Sequence, residues 1–214
     1  MSTDLIIAVD GPAASGKGTI AARLAAHYDL PYLDTGLLYR AVGLAVLAAG
    51  GDLDDPEQAA VAALALELTS LDNPALIGRA AGDAASRVAF HPPVREALLA
   101  LQKDFAAQPG GAVLDGRDIG TVIAPEADVK IYVTADPDVR AERRWKQLVN
   151  RGETVAFETI LEDIRERDAR DAGRDAAPMV AAQDAVLLDT SDLAIDAAFE
   201  AACRIVEEAR ARKG

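Results

Sequence analysis

Gly11-Pro12-Ala13-Ala14-Ser15-Gly16-Lys17-Gly18-Thr19 combines three glycines, a lysine and two hydroxyl side chains in one short stretch, a set of residues suited to holding phosphate. It directly follows the apolar run Leu5-Ile6-Ile7-Ala8-Val9, so the order reads as strand, glycine-bearing turn, helix. Such a turn aims consecutive backbone N–H groups inward, and a helix beginning near Lys17 adds the positive end of its dipole. Lys17 can then reach the outer phosphates of a nucleoside triphosphate. The pattern is G-x-x-x-x-G-K-[ST] except at its last place, where Gly18 stands and Thr19 follows. Displacing the hydroxyl by one residue makes magnesium ligation by the protein less direct, so no residue is assigned as a metal ligand and Mg²⁺ is expected on the triphosphate itself. An ordinary tight turn is the alternative, and the flanking strand and helix argue against it.

Asp34-Thr35-Gly36-Leu37-Leu38-Tyr39-Arg40 follows the short run Leu30-Pro31-Tyr32-Leu33 and brings a hydroxyl, a helix N-terminus and a cation within two turns. That suits a second phosphate, although alone Asp34 or Thr35 reads equally as an N-cap and Arg40 as a solvated residue. Asp115-Gly116-Arg117-Asp118 sits just past another apolar run, Ala112-Val113-Leu114. Asp-Gly is also hairpin chemistry, but Ile119-Gly120-Thr121-Val122-Ile123 runs into Pro125 without an alternating strand. A guanidinium between two carboxylates at a strand's carboxyl end costs free energy unless a ligand uses it. Arg167, Asp171 and Arg174 are spaced four and three apart and share one face if helical, with Arg170 and Arg143-Arg144 adding charge. Salt bridges along a helix would explain them, yet arginines concentrated in one segment of an acidic chain also suit a bidentate clamp on phosphate oxygens.

These residues need a scaffold. Val129-Lys130-Ile131-Tyr132-Val133 and Ala185-Val186-Leu187-Leu188 read as further buried strands, each ending near an aspartate, Asp136 or Asp189. Helical spacing recurs at Ile20, Leu24 and Ala25, at Ile160, Leu161 and Ile164, and from Ile195 to Arg212. Alternating strands and helices predict a three-layer α/β fold whose parallel sheet binds its ligand beyond the carboxyl ends of the strands. Two regions break the alternation: roughly 40–105, helical and Ala-rich with turns at Gly50-Gly51 and Asp72-Asn73-Pro74, and roughly 143–175, rich in arginine. Both are expected to be mobile arms.

Composition narrows the partners. With 22 Lys+Arg against 35 Asp+Glu the net charge is −13, which disfavours nucleic acid or anionic membrane as a partner. The lone Cys203 gives neither an internal disulfide nor a zinc spacing and is expected to be a small buried hydrophobe on the last helix. No signal peptide or membrane-length apolar run is visible, so a cytoplasmic location is expected, with a monomer as the default. His27 and His91 lack partners at catalytic or metal-binding spacing and read as structural or surface residues, while Trp145 could anchor the arm by packing.

Gly-Pro-x-x-x-Gly-Lys-Gly-Thr, Asp-Thr-Gly-x-x-Tyr-Arg, Val94-Arg95-Glu96-Ala97, Asp-Gly-Arg-Asp-Ile-Gly-Thr and Arg167-Asp168-x-x-Asp171-x-x-Arg174 together resemble the bacterial cytidylate kinases, in that family's order and over nearly the whole chain. The resemblance implies the P-loop nucleoside monophosphate kinase fold, with a core at about 1–33, 106–142 and 176–214. The acceptor-binding insertion would fall at about 34–105 and the lid at about 143–175. It implies transfer of the ATP γ-phosphoryl to CMP or dCMP with Mg²⁺. Lys17 and the amides of Gly11 to Thr19 would hold ATP, while Asp34, Thr35, Tyr39, Arg40 and Arg117 would meet the acceptor and its phosphate. Ser86, Arg95 and Asp118 match positions that read cytosine, and Asp171 with Arg167 match positions that meet the sugar. Arg167 and Arg174 would steady the transferring group. Two departures from many relatives are Ala14 in place of a loop glycine and residues 51–85 without a strand-turn-strand pattern. A UMP/CMP or adenylate kinase shares the loop and arginine lid. A GTPase switch is disfavoured by the lack of Asn-Lys-x-Asp and Asp-x-x-Gly motifs.

Overall fold

The computed structural model describes residues 4–67, 71–174 and 177–213. The opening Met1-Ser2-Thr3 and small parts of the expected insertion and lid (68–70, 175–176) lie outside the described residues, as does Gly214. Strands and helices alternate as expected: β1 (Leu5–Asp10), α1 (Lys17–Tyr28), β2 (Tyr32–Asp34), α2 (Thr35–Ala48), α3 (Pro56–Leu64), a 3-10 turn (Pro74–Ile77), α4 (Arg79–Val88), α5 (Pro92–Ala106), β3 (Gly111–Gly116), β4 (Val129–Thr134), α6 (Pro137–Val149), α7 (Phe157–Ala172), β5 (Val186–Asp189) and α8 (Ile195–Lys213).

The five strands form one sheet in the order β2-β3-β1-β4-β5. β1 lies between β3 and β4, parallel to both, with Val9 opposite Asp115 on one side and Ile131 on the other. Successive residues of a strand point to opposite faces, and Ile7, Ala8 and Val9 are all fully buried, so both faces of the sheet are covered. One cover consists of α1 and α8, whose Ile20, Leu24, Ala202 and Val206 pack on Ile7, Val9, Val113, Ile131 and Val133. The glycine-rich loop therefore leaves the central strand at its carboxyl end, where the chain order reverses across the sheet.

The chain forms two compact units, Met1–Leu33 with Lys103–Gly214, and Asp34–Gln102. The first holds the sheet and also the arginine-rich arm. In that arm Ala141 and Leu148 of α6 pack on Ile160 and Ile164 of α7. Trp145 joins this cluster and its Nε1 donates to the Val155 carbonyl at 2.9 Å, the anchoring expected of it. Beyond the end of β2, the regular elements among the second unit's described residues are all helical, joined by turns. Its α2 and α4 approach closely at Gly43, where a Cβ would lie 2.7 Å from that of Ala84. α3 starts as its sequence dictates, with Asp55 accepting from the Glu57 and Gln58 amides and Pro56 in the first turn.

Two local expectations are corrected. α7 ends at Ala172, so Arg174 lies beyond the helix rather than on a shared face with Arg167 and Asp171. Cys203 is half-buried rather than a core residue, at the margin of the cluster between α8 and the sheet.

Candidate active site

The loop after β1 is shaped by conformations that side chains resist. Gly11 has φ +146°, and a Cβ there would lie 2.0 Å from the Val133 carbonyl oxygen, so the loop packs on β4 only because this residue is glycine. Ala14 (φ 60°) and Gly16 (φ 92°) are left-handed within the same turn, which rotates neighbouring N–H groups toward one concavity. Gly16 is the N-cap of α1, no side chain caps that helix end, and no acidic residue lies in its first turn. The helix end thus keeps its positive dipole for an anion. Lys17 Nζ stands 3.7 Å from Oδ2 of the buried Asp115, at the end of β3.

Gly18, in the place usual for a hydroxyl, has a physical reason here. A Cβ there would be 3.1 Å from Asp115 Oδ2 and 3.7 Å from the Tyr32 hydroxyl. Asp115 brings a hard oxygen to this loop position, the donor type that Mg²⁺ prefers. Among the described residues no cluster of three carboxyl, imidazole or thiol groups could hold a metal by itself. The donor set therefore fits a magnesium ion that arrives with a nucleotide.

The segment after β3 forms a single wide turn in place of a hairpin. The Val122 amide donates to the Asp118 carbonyl (2.9 Å), and the next two bonds span five residues, Ile123 to Asp118 (3.2 Å) and Ala124 to Ile119 (2.7 Å). Such π-type turns are often found at functional sites. Asp10, the last residue of β1, accepts from the Ile119 and Gly120 amides at 2.8 Å each. Burial pushes its carboxyl up to about 6, against the pull of those two amides, with Asp118 raising it further and Lys17 lowering it.

Arg117, Arg167 and Arg174 meet at Asp171. Arg117 Nε donates to Asp171 Oδ2 at 2.9 Å, Arg167 Nε lies 3.8 Å from the same oxygen, and Arg174 Nη2 binds Oδ1. Asp171 is 1 % exposed, and although burial raises its carboxyl, the Arg117, Arg167 and Arg174 charges hold it down at about 2. The spacing read from the sequence thus corresponds to a real cluster, and Arg117 joins it from a distant part of the chain.

Two arginines of α6 brace the glycine-rich loop. The buried Arg140 donates to the carbonyls of Ala135 (2.8 Å) and Ala13 (3.3 Å) and grips Asp168 of α7 through both oxygens at 3.1 and 2.6 Å. Arg143 donates to the Thr190 carbonyl (2.6 Å) and the Ser15 carbonyl (3.4 Å). The Thr190 hydroxyl also donates to Ser15 at 2.9 Å.

The second unit holds the other predicted residues. Thr35 is buried at the start of α2, with Asp34 as its extended N-cap residue, whose side chain makes no capping bond. Arg40 donates to the Leu76 carbonyl at 2.7 Å. The Arg95 guanidinium lies 5.8 Å from the Tyr39 ring centre, within cation–π range. Ser86 is buried on α4. His27 stands edge-on to Tyr28 and Phe199, and His91 bonds the Leu53 carbonyl at 2.8 Å, so both fill structural roles. Sequence reasoning missed Asp10, Arg140, Arg143 as a loop brace, and Thr190. Only Asp10 carried a signal, as a carboxylate closing an apolar strand directly before the loop.

A family model described as cytidylate kinase matches residues 7–208. The chain is 68 % identical over 207 residues to a cytidylate kinase of Caulobacter vibrioides, covering 97 % of each, and 63 % identical to one of Xanthobacter autotrophicus, covering 97 % of this chain and 99 % of the relative. An uncharacterized protein from Eubacterium ventriosum shares the fold at a TM-score of 0.54 and 15 % identity, over 96 % of this chain and 99 % of that one.

Proposed function

The chain belongs to the cytidylate kinase family, and from that premise we propose that it transfers the γ-phosphoryl group of ATP to CMP or dCMP, yielding ADP and CDP or dCDP. The observation that carries this reading is the convergence of Arg117, Arg167 and Arg174 on the buried Asp171. A nucleoside monophosphate already presents an anionic oxygen as nucleophile, so no general base is needed; alignment, charge neutralisation and exclusion of water are. Guanidinium groups serve the first two, and a histidine base is absent from the residues of this reading.

Within it, Lys17 and the loop amides from Gly11 to Thr19 hold ATP. Asp34, Thr35, Tyr39, Arg40 and Arg117 serve the acceptor and its phosphate. Ser86, Arg95 and Asp118 read the base, Asp171 with Arg167 meets the sugar, and Arg167 and Arg174 neutralise the transferring group. Asp115 is the protein oxygen suited to meet a magnesium ion, which would arrive chiefly on ATP and would supply neutralisation of phosphate charge. We place the enzyme in the cytoplasm, as a monomer in pyrimidine nucleotide metabolism without nucleic acid or membrane partners. No helix among the described residues is long and apolar enough to cross a membrane.

The test is ADP formation from ATP and Mg²⁺ with CMP, dCMP, UMP, AMP and GMP offered separately. Preference for CMP and dCMP is expected. Turnover of AMP or UMP in their place would retain phosphoryl transfer and overturn the base reading. In a companion thermal-shift measurement, CMP alone at about 100 times its Kd should stabilise the protein by about 2.7 kcal/mol.

A further inference from the structure

We propose that Asp10 is a positioning residue for base selection: its carboxylate fixes the backbone that aims Asp118. This rests on the reading that Asp118 meets the cytosine. Asp10 is outside the residues assigned to ATP or acceptor, yet it is 5 % exposed and commits both oxygens, at 2.8 Å each, to the amides of Ile119 and Gly120. Those are the two residues that directly follow Asp118.

The Asp118 carbonyl is held by the same turn, accepting from the Val122 amide at 2.9 Å and the Ile123 amide at 3.2 Å. With its carbonyl fixed by the wide turn and the next two amides fixed by Asp10, the backbone on the carbonyl side of Asp118 is held in place, which narrows the directions its carboxylate can take. Gly120 makes the approach possible. A Cβ there would lie 3.4 Å from Asp10 Oδ2 and 3.1 Å from Cδ of Lys130, whose Nζ is in turn held by both oxygens of Asp184 at 2.9 and 2.8 Å. Asp10 is also bonded through the chain to Gly11, so one residue closes the donor loop and steadies the acceptor reader.

An acceptor with two oxygens is required. In Asp10→Asn the carboxamide NH₂ would face one of the two amides, donor against donor, and the turn would lose one of its two anchors. A site built to hydrogen-bond one base discriminates strongly against another, so a small displacement of Asp118 costs selectivity before it costs chemistry.

The experiment compares kcat/KM for CMP and UMP in the parent, Asp10→Asn and Asp118→Ala. Asp10→Asn should lower the CMP to UMP ratio by about tenfold or more, chiefly through KM for CMP, with KM for ATP changed less than about threefold. A purely structural role would lower both substrates' rates and leave the ratio unchanged; that result overturns the proposal. If Asp118→Ala lowers the ratio and Asp10→Asn does not, the positioning role fails while the base reading stands. If Asp118→Ala leaves the ratio unchanged, the base reading fails and the proposal with it. Should Asp10→Asn not fold, Gly120→Ala presses on the same turn from its other side. It is expected to shift the ratio in the same direction, and an unchanged ratio there also overturns the proposal.

Discussion

Replacing Asp171 by Asn removes the charge around which Arg117, Arg167 and Arg174 assemble, and the consequence can be worked from the folded state. The Asp171 carboxyl lies at about 2 against an ordinary value of 3.8, despite a burial that by itself would raise it. A difference of roughly two units corresponds to about 2 kcal/mol in favour of the folded protein at neutral pH. Because the folded value is depressed, that stabilisation is complete above the unfolded value of 3.8 and is lost as pH falls through about 2. It should be about halved near pH 3. The variant also leaves three guanidinium groups without their shared carboxylate, and unpairing buried charges costs about 3–5 kcal/mol, which sets the upper end. We expect Asp171→Asn to be about 2–5 kcal/mol less stable at pH 7, with a deficit that narrows toward pH 3. Urea unfolding followed by Trp145 fluorescence is the assay, since the single tryptophan, on α6, belongs to the apolar cluster that joins α6 to α7. Inorganic phosphate should stabilise the variant more than the parent by replacing the lost anion. A variant as stable as the parent at pH 7, or a deficit that stays constant down to pH 3, would refute the electrostatic reasoning.

Gly11→Ala places a Cβ 2.0 Å from the Val133 carbonyl, so ATP binding measured by calorimetry should be abolished while the circular dichroism of the fold persists. Arg174→Ala should lower kcat by about 10³ or more with a much smaller change in either KM, read from steady-state kinetics. Arg143→Ala removes donors to Ser15 and Thr190, and KM for ATP should rise by about tenfold, equivalent to one lost charge-assisted hydrogen bond, with KM for CMP little altered.

Much of this site could be read from local sequence because its chemistry is local. Gly11 to Thr19 form loop and helix by the φ preferences of a few residues, and Arg117 and Asp118 follow an apolar strand by chain order alone. The Arg167, Asp171 and Arg174 spacing pointed to a common cluster although Arg174 lies past the helix end. What remained hidden depends on partners distant in the chain. Arg140 looks like any helix arginine until Asp168 and the Ala13 carbonyl, 28 and 127 positions away, are brought to it. Asp10 is separated from Ile119 by 109 positions, and no local pattern announces that its carboxylate serves two backbone amides. The strand order was equally silent, since parallel pairing of β1 with both β3 and β4 runs through long crossover connections that no strand's own residues specify.

The bond from Thr190 to Ser15 has a bearing on synthesis. One of the residues that fasten the glycine-rich loop comes 175 positions after Ser15, directly following the last strand. During translation the glycine-rich segment emerges early, but its Ser15 carbonyl finds this support only after residue 190 has left the ribosome and β5 has paired with β4. Of the side chains that hold this loop, Thr190 is thus the last to be synthesised, after Arg140 on the Ala13 carbonyl and Arg143 on the Ser15 carbonyl.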